Sequence, residues 1–307
     1  MFRLHANDPL APKAMNMLEE SGLFEVTQEH LDKEELLKII PDIEFLVVRS
    51  ATKVTADILK AGTKLKVVGR AGVGLDNVDV STAKELGIRV YNTPGANAIS
   101  AAELTIGLLI ALMRQIPRGT NGLKEGKWEK KKLKGHEIYG KTLGLIGFGA
   151  IGREVAKRAL AFGMHVVAFD PYVENTDLDV ELTKSVDDVL AKADVVSLHV
   201  PLTPRTLHIL GEKEIEKMKD GAVIINAARG GVLDEQALYD ALIAGKLAGA
   251  ALDVFEVEPP VDELRRKLLG LPNVVATPHI GASTYEGQER VGIEMAKKLI
   301  EVAKEIE

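Results

Sequence analysis

The sequence predicts an α/β chain of two doubly wound parallel-sheet domains, one inserted into the other. Three observations carry this expectation. Short apolar runs alternate with helical patterns through both halves, a glycine-rich turn separates two such runs near the middle, and 307 residues suffice for about two domains. In the first stretch the apolar runs at 2–6, 45–48, 67–69 and 89–91 read as buried strands. The patterns at 33–40, 56–61 and 82–86 read as the helices between them. Strands separated by helices imply crossover connections, and hence a parallel sheet.

The middle of the chain is more specific. Residues 143–146 (Leu-Gly-Leu-Ile) lead into Gly147, Gly149 and Gly152. A helical stretch bearing Val155, Ala156, Ala159 and Leu160 follows, and a second apolar run at 165–169 ends on Asp170. Each glycine answers a physical need: Gly147 allows the tight turn, Gly149 the close approach of a pyrophosphate to the backbone, and Gly152 the packing of helix on strand. Ala150 and Ile151 open the helix, whose free N–H groups and dipole favour an anion. Asp170 lies 18 residues beyond Gly152, where a carboxylate can accept bonds from ribose hydroxyls and repel a 2′-phosphate. No cation follows at Pro171, Tyr172 or Val173. The reading is a Rossmann domain that takes NAD rather than NADP.

Beyond this unit, strands are expected at 195–198, 222–226, 250–253 and 274–276, with helices at 186–192, 212–217 and 235–244. A final helical stripe runs through Val291, Ile293, Met295, Leu299, Ile300, Val302 and Ile306. Turn-rich segments at 93–95 and 281–283 suggest a substrate domain of residues 1–93 with 283–307, and a nucleotide domain of residues 94–282. The helix across 96–114 is apolar on more than one face, which suggests a homodimer seam.

Composition narrows the function classes. The net charge of −6 argues against a nucleic-acid or membrane partner held by bulk electrostatics. The one basic cluster, Lys127, Lys130, Lys131, Lys132 and Lys134, reads as a solvated loop. Without cysteine there can be no disulfide, thiolate metal site or cysteine nucleophile. The seven histidines show no zinc-binding spacing, so no metal is expected. The first residues carry no signal-peptide pattern, which makes a cytoplasmic location the expectation.

Polar residues stand at or just beyond strand ends of the second sheet, where open α/β sheets bind ligands: His199, Arg229, Asp253, Glu258 and His279. Each also has a plainer reading. Arg229 precedes two glycines and would suit a turn, Glu258 precedes two prolines, and His279 follows Pro278 in a loop.

The segments Val-Val-Arg-Ser-Ala-Thr at 47–52, Gly-Arg-Ala-Gly-Val-Gly-Leu-Asp-Asn-Val-Asp at 69–79, Ser-Ala-Ala-Glu at 100–103, Asn-Ala-Ala-Arg-Gly-Gly at 226–231, Leu-Asp-Val-Phe at 252–255, Glu-Pro-Pro at 258–260 and Thr-Pro-His-Ile-Gly at 277–281, with the glycine fingerprint, span the chain. Together they resemble the D-isomer-specific 2-hydroxyacid dehydrogenases. Within that family the likeness points to members acting on D-3-phosphoglycerate in a short form without a regulatory domain. The resemblance implies a flavodoxin-like substrate domain, His279 as acid/base, Glu258 as its carboxylate partner and Arg229 as substrate anchor. It further places Asp253 on the nicotinamide carboxamide and His199 and Val200 on the adenosine side, with Ala227, Ala228 and Gly281 also toward the cofactor. Arg49 and Arg70 fall near a phosphate, the Val73–Gly74 backbone on the substrate carboxylate, and Lys130 toward a neighbouring subunit's site. Two rival expectations remain: a glyoxylate or hydroxypyruvate reductase, and an NAD-sensing binding protein.

Overall fold

In the computed structural model, which describes residues 1–306, the chain divides into two compact units. Residues 1–97 and the segment from 282 onward form the first, and residues 98–281 form the second.

The first unit begins with β1 (Phe2–Ala6), α1 (Pro12–Glu20), β2 (Phe24–Gln28), α2 (Lys33–Ile39) and a short 3₁₀ turn (Ile40–Asp42). It continues through β3 (Phe45–Val48), α3 (Ala56–Ala61), β4 (Val67–Arg70), α4 (Val80–Glu85) and β5 (Arg89–Asn92). The strands form a parallel sheet in the order β2-β1-β3-β4-β5. Side chains alternate across it. Leu4, Ala6, Phe45, Val47 and Val67 pack on one face, while Leu46, Val48 and Val68 meet Leu36, Ile58 and Leu59 on the other. Both faces are covered, which is why the strands read as continuous apolar runs. β4 extends one residue past its apolar run, so Arg70 is its last residue, opposite Val48 of β3 and Asn92 of β5.

The second unit opens with α5 (Ala98–Met113) and α6 (Ile116–Lys124), then β6 (Thr142–Ile146), α7 (Ala150–Ala161), β7 (His165–Phe169) and β8 (Glu181–Leu182). It proceeds through α8 (Val186–Lys192), β9 (Val195–Leu198), α9 (Glu212–Lys217), β10 (Ala222–Asn226), α10 (Glu235–Ile243), β11 (Leu247–Leu252), α11 (Glu263–Leu269) and β12 (Val274–Ala276). These strands form a parallel sheet ordered β12-β11-β10-β9-β6-β7-β8. The order reverses between β6 and β9, a switch point of the kind at which such sheets bind nucleotides. Ile146, Val196, Leu198, Ile224 and Leu252 line one face. Leu143, Leu145, Val195, Ile225 and Ala251 line the other, beneath α5 and α7.

The double apolar character of α5 has a local cause. Ala102, Ile106, Leu109 and Leu112 are buried in its own unit's core, against α7 residues such as Val155 and Ala159. Ile99 of α5 is exposed, as are Ile116, Leu123, Trp128 and Tyr139 beyond it. No single helix among the described residues is long and apolar enough to cross a membrane, and α5 with α6 passes that test only as a pair bent by 65°.

The chain then re-enters the first unit as α12 (Tyr285–Ile306). Val291, Met295, Leu299 and Val302 form the stripe expected from sequence and lie on the face of Leu4 and Phe45. This helix sits close because β4 carries Gly69, where a Cβ would approach Met295 Sδ to 2.7 Å.

Candidate active site and cofactor cradle

The glycine fingerprint connects β6 to α7. Gly147 has φ +98°, and a Cβ there would meet the His199 carbonyl oxygen at 2.5 Å. A Cβ on Gly152 would meet the Gly147 carbonyl oxygen at the same distance, whereas one on Gly149 would have nothing within 4 Å. Two glycines therefore serve packing and the third leaves space. Gly149 caps α7 without a side-chain bond, and Ala150 is exposed with Ile151 partly so, leaving the N–H groups of this twelve-residue helix for an anion.

Asp170 holds this turn. Its Oδ2 accepts from Phe148 N at 2.8 Å and its Oδ1 from Tyr172 N at 2.9 Å. The turn-forming and cofactor-facing readings thus coexist, because each carboxylate oxygen retains a second lone pair for a ribose hydroxyl. His199 follows β9, with Nε2 2.9 Å from Ser197 Oγ and a buried Nδ1 that has no protein partner. Burial lowers its pKa to about 4, so it presents a neutral ring next to the glycine turn. Val200 adjoins it, half-buried. The open space at Gly149 and the orphaned His199 nitrogen both suit a dinucleotide.

The proton-transfer candidates meet on the loops after β11 and β12. His279 Nδ1 lies 2.8 Å from Glu258 Oε2, and Glu258 Oε1 accepts from Phe255 N at 3.0 Å. Both side chains keep solvent access, His279 with half of its surface exposed. His279 adopts φ +52°, a conformation uncommon for a residue with a Cβ. Asp253, only 1 % exposed, stabilises that loop. Its backbone oxygen accepts from His279 N at 2.8 Å, its Oδ1 from Thr277 Oγ1 and Ile280 N, and its Oδ2 from Gly281 N. The carboxylate that sequence reasoning placed on the nicotinamide thus takes three of its bonds from the loop carrying His279.

Arg229 lies in the turn after β10, half-buried, with Nη1 donating to Ala228 O at 2.7 Å. Asn226 shapes that turn, donating to Arg229 O and accepting from Ala228 N. Ala227 is half-buried beside it. A Cβ on Gly230 would fall 1.9 Å from Phe255 O, so the Arg229 turn and the segment leading to Glu258 are packed backbone to backbone.

In the first unit, Arg49 directly follows β3 and Arg70 ends β4, so parallel register brings both residues to the carboxyl edge of adjacent strands. Asn77 ties the two segments together, accepting from Arg70 Nε at 3.5 Å and donating to the carbonyls of Arg49 and Thr52 at 2.6 Å each. Val73 and Gly74, in the loop after β4, are partly exposed, and Val73 O accepts from Asn92 Nδ2. Lys130 is exposed in the second unit and borders a groove of about 410 Å³ with Trp128 and Leu123.

Residues 106–281 match the model of the D-isomer specific 2-hydroxyacid dehydrogenase NAD binding domain. The chain belongs to this family. It is 61% identical to a hydroxypyruvate reductase of Thermotoga maritima, over 97% of each chain. It is 52% identical to D-3-phosphoglycerate dehydrogenase of Methanocaldococcus jannaschii, over 98% of this chain and 57% of that one. The chain thus spans little more than half the length of that relative. Among solved structures it resembles NAD⁺-bound 3-phosphoglycerate dehydrogenase of Entamoeba histolytica, with TM-score 0.84 and 30% identity over 100% of this chain and 96% of that one. As a member of the family the chain is an NAD-dependent dehydrogenase.

Sequence reasoning did not single out Thr277, Asn226, Asn77 or Ser197, which orient the named residues through hydrogen bonds. Their only signal was position, next to or within the matching motifs. The double engagement of Asp170 makes it testable. Asp170→Ala should weaken NAD binding by about tenfold or more, from the loss of charge-assisted bonds, and should narrow the preference over NADP. Calorimetric titration of both cofactors checks this. Asp170→Asn, which keeps an acceptor but not the charge, should retain more NAD affinity than Asp170→Ala. Unchanged NAD affinity in both variants would leave Asp170 as a turn residue alone.

Proposed function

We propose that this dehydrogenase oxidises D-3-phosphoglycerate to 3-phosphohydroxypyruvate with NAD, the entry step of serine biosynthesis. The observation that carries the reading is the pair Arg49 and Arg70, on adjacent strand ends and bridged by Asn77. Two arginines at one sheet edge suit a dianion, whereas an unphosphorylated hydroxy acid, with its single carboxylate, calls for fewer cations.

NAD, when bound, accepts the hydride that leaves C2 of the substrate. The protein's part is to move the hydroxyl proton and fix the geometry. His279 takes that proton as C2–H breaks. With Nδ1 engaged by Glu258 at 2.8 Å, Nε2 is the nitrogen left for the exchange. The Glu258 carboxylate stabilises the imidazolium that forms. Arg229 offers a planar fork to the substrate carboxylate, and its polarising charge favours the C2 oxygen in either direction.

One observation favours a second reading. The hydroxypyruvate reductase relative matches nearly the whole of both chains at 61% identity, so reduction of hydroxypyruvate or glyoxylate is the alternative. A homodimer in the cytoplasm completes the proposal, with Lys130 reaching toward the neighbouring subunit. The exposed Trp128 and Leu123 beside the groove, with Ile99 at the start of α5, support an interface on this side of the second unit. The deciding experiment follows NADH with D-3-phosphoglycerate, D-glycerate, D-lactate, glyoxylate, hydroxypyruvate and 3-phosphohydroxypyruvate under matched conditions. The proposal expects kcat/KM for D-3-phosphoglycerate to exceed that for D-glycerate by about tenfold or more. Equal values, or faster turnover of hydroxypyruvate than of its phosphorylated analogue, would overturn it.

A further inference from the structure

We infer that Asp8 and Asn77 are positioning residues that set the specificity of the dehydrogenase for a phosphorylated substrate, by holding the 49–52 loop and the Arg70 side chain in one arrangement. The inference rests on the reading of Arg49 and Arg70 as the phosphate pair, and adds how that pair is organised.

Asp8 lies two residues past β1, the strand beside β3. Its carboxylate is 2 % exposed, and a carboxylate out of water persists only where hydrogen bonds replace hydration. Those bonds come mainly from one loop. Oδ2 accepts from Arg49 N at 2.6 Å and from Thr52 N at 3.1 Å, and Oδ1 accepts from Thr52 Oγ1 at 2.8 Å. The remaining neighbour is His30, whose Nδ1 is 3.3 Å from Oδ1. Asn7, fully buried, adds a bond from Nδ2 to Thr52 Oγ1 at 2.8 Å. The loop is thus fastened at both ends, at Arg49 and at Thr52, while Ser50 and Ala51 between them stay exposed.

Asn77 grips the same loop through the opposite backbone groups. Its Nδ2 donates to the carbonyls of Arg49 and Thr52, the two residues whose N–H groups Asp8 accepts. Its Oδ1 receives Arg70 Nε. A single amide therefore joins the backbone behind one guanidinium to the side chain of the other. An arginine side chain loses rotamer freedom when it binds a ligand; Arg70, already held by Asn77, has less to lose, and the fixed backbone at Arg49 sets where its side chain starts. The benefit falls on the ligand that uses both arginines.

The test compares KM for D-3-phosphoglycerate and for D-glycerate, kcat for each, the NAD dissociation constant and the melting temperature in wild type, Asp8→Asn and Asn77→Ala. Each variant should raise KM for D-3-phosphoglycerate at least about fivefold relative to KM for D-glycerate, with kcat changed by less than about threefold and NAD affinity unaltered. A merely structural role would lower the melting temperature without moving that ratio, and that result overturns the inference. Equal rises in both KM values would also overturn it. If Asp8→Asn does not fold, the ratio in Asn77→Ala decides alone, since that side chain is only half-buried. If wild type itself shows no preference for D-3-phosphoglycerate, the phosphate reading fails and the inference falls with it. A wild-type preference that survives unchanged in both variants removes only the positioning role.

Discussion

Replacing His279 by Gln should lower kcat by about 10²–10⁴-fold while leaving the NAD dissociation constant nearly unchanged. The split follows from where the atoms are. His279 meets Glu258 through Nδ1 and holds no part of the glycine turn, whose packing depends on Gly147, Gly152 and Asp170. Gln keeps a polar group of comparable reach but cannot accept and return the hydroxyl proton. The loop should survive the exchange, because its bonds to Asp253 come from the backbone of residues 279–281 and from the Thr277 hydroxyl. Gln must still tolerate the φ of +52° that His279 adopts. A melting temperature measured beside the kinetics separates a strained loop from a lost proton carrier. A kcat within about threefold of wild type would remove His279 from the chemistry.

Legibility of the fold in the sequence depended on whether the determining interaction was local. The strands Val195–Leu198 and Ala222–Asn226 lie where the sequence places them, because a strand buried on both faces reads as a largely apolar run; Val274–Ala276 also lies where expected, although it is a partly exposed edge strand. β2, with Phe-Glu-Val-Thr-Gln, offers no such run, since it lies at a sheet edge and exposes Glu25, Thr27 and Gln28. α6 is hidden by Pro117, Gly119 and Gly122, residues of poor helix propensity inside a real helix. α11 escapes notice although Asp262 caps it, accepting from Arg265 N, because seven residues show little periodicity. α5 is apolar on more than one face partly because the sheet and α7 bury Ala102, Ile106, Leu109 and Leu112, while Ile99 stays exposed and Leu104 and Ile110 are only partly covered.

The site follows the same rule. The fingerprint is readable because its glycines answer to constraints a few residues away, at Gly147, Gly152 and the start of α7. The pairing of Glu258 with His279 is available only through family resemblance, since 21 residues separate them. Asp8 is invisible: its partners at Arg49 and Thr52 are 41 and 44 residues away and include backbone N–H groups, which carry no residue signature. Asp253 stands out in the sequence, but its bonds to Ile280 and Gly281 do not, because they are likewise to backbone.

Arg70→Ala should raise KM for D-3-phosphoglycerate by about one to two orders of magnitude, the effect of losing about 1.5–3 kcal/mol in hydrogen bonding to a charged group. KM for D-glycerate should barely change. Arg70 is suited to this separation of effects because it ends β4 with its guanidinium folded beside Gly72, where a Cβ would collide with Nη1. Its Nε reaches Asn77, so removal of the side chain vacates the sheet edge without opening the cores beneath β4. Arg70→Lys sharpens the result. A lysine keeps the charge and loses the planar fork, so it should fall between wild type and Ala for the phosphorylated substrate. The same pair of measurements separates the two substrate readings raised by the relatives. A hydroxypyruvate reductase has no phosphate to hold, and in such an enzyme Arg70 would serve the common carboxylate or the fold. Both KM values would then rise together in Arg70→Ala, and the D-3-phosphoglycerate reading would give way to the reductase.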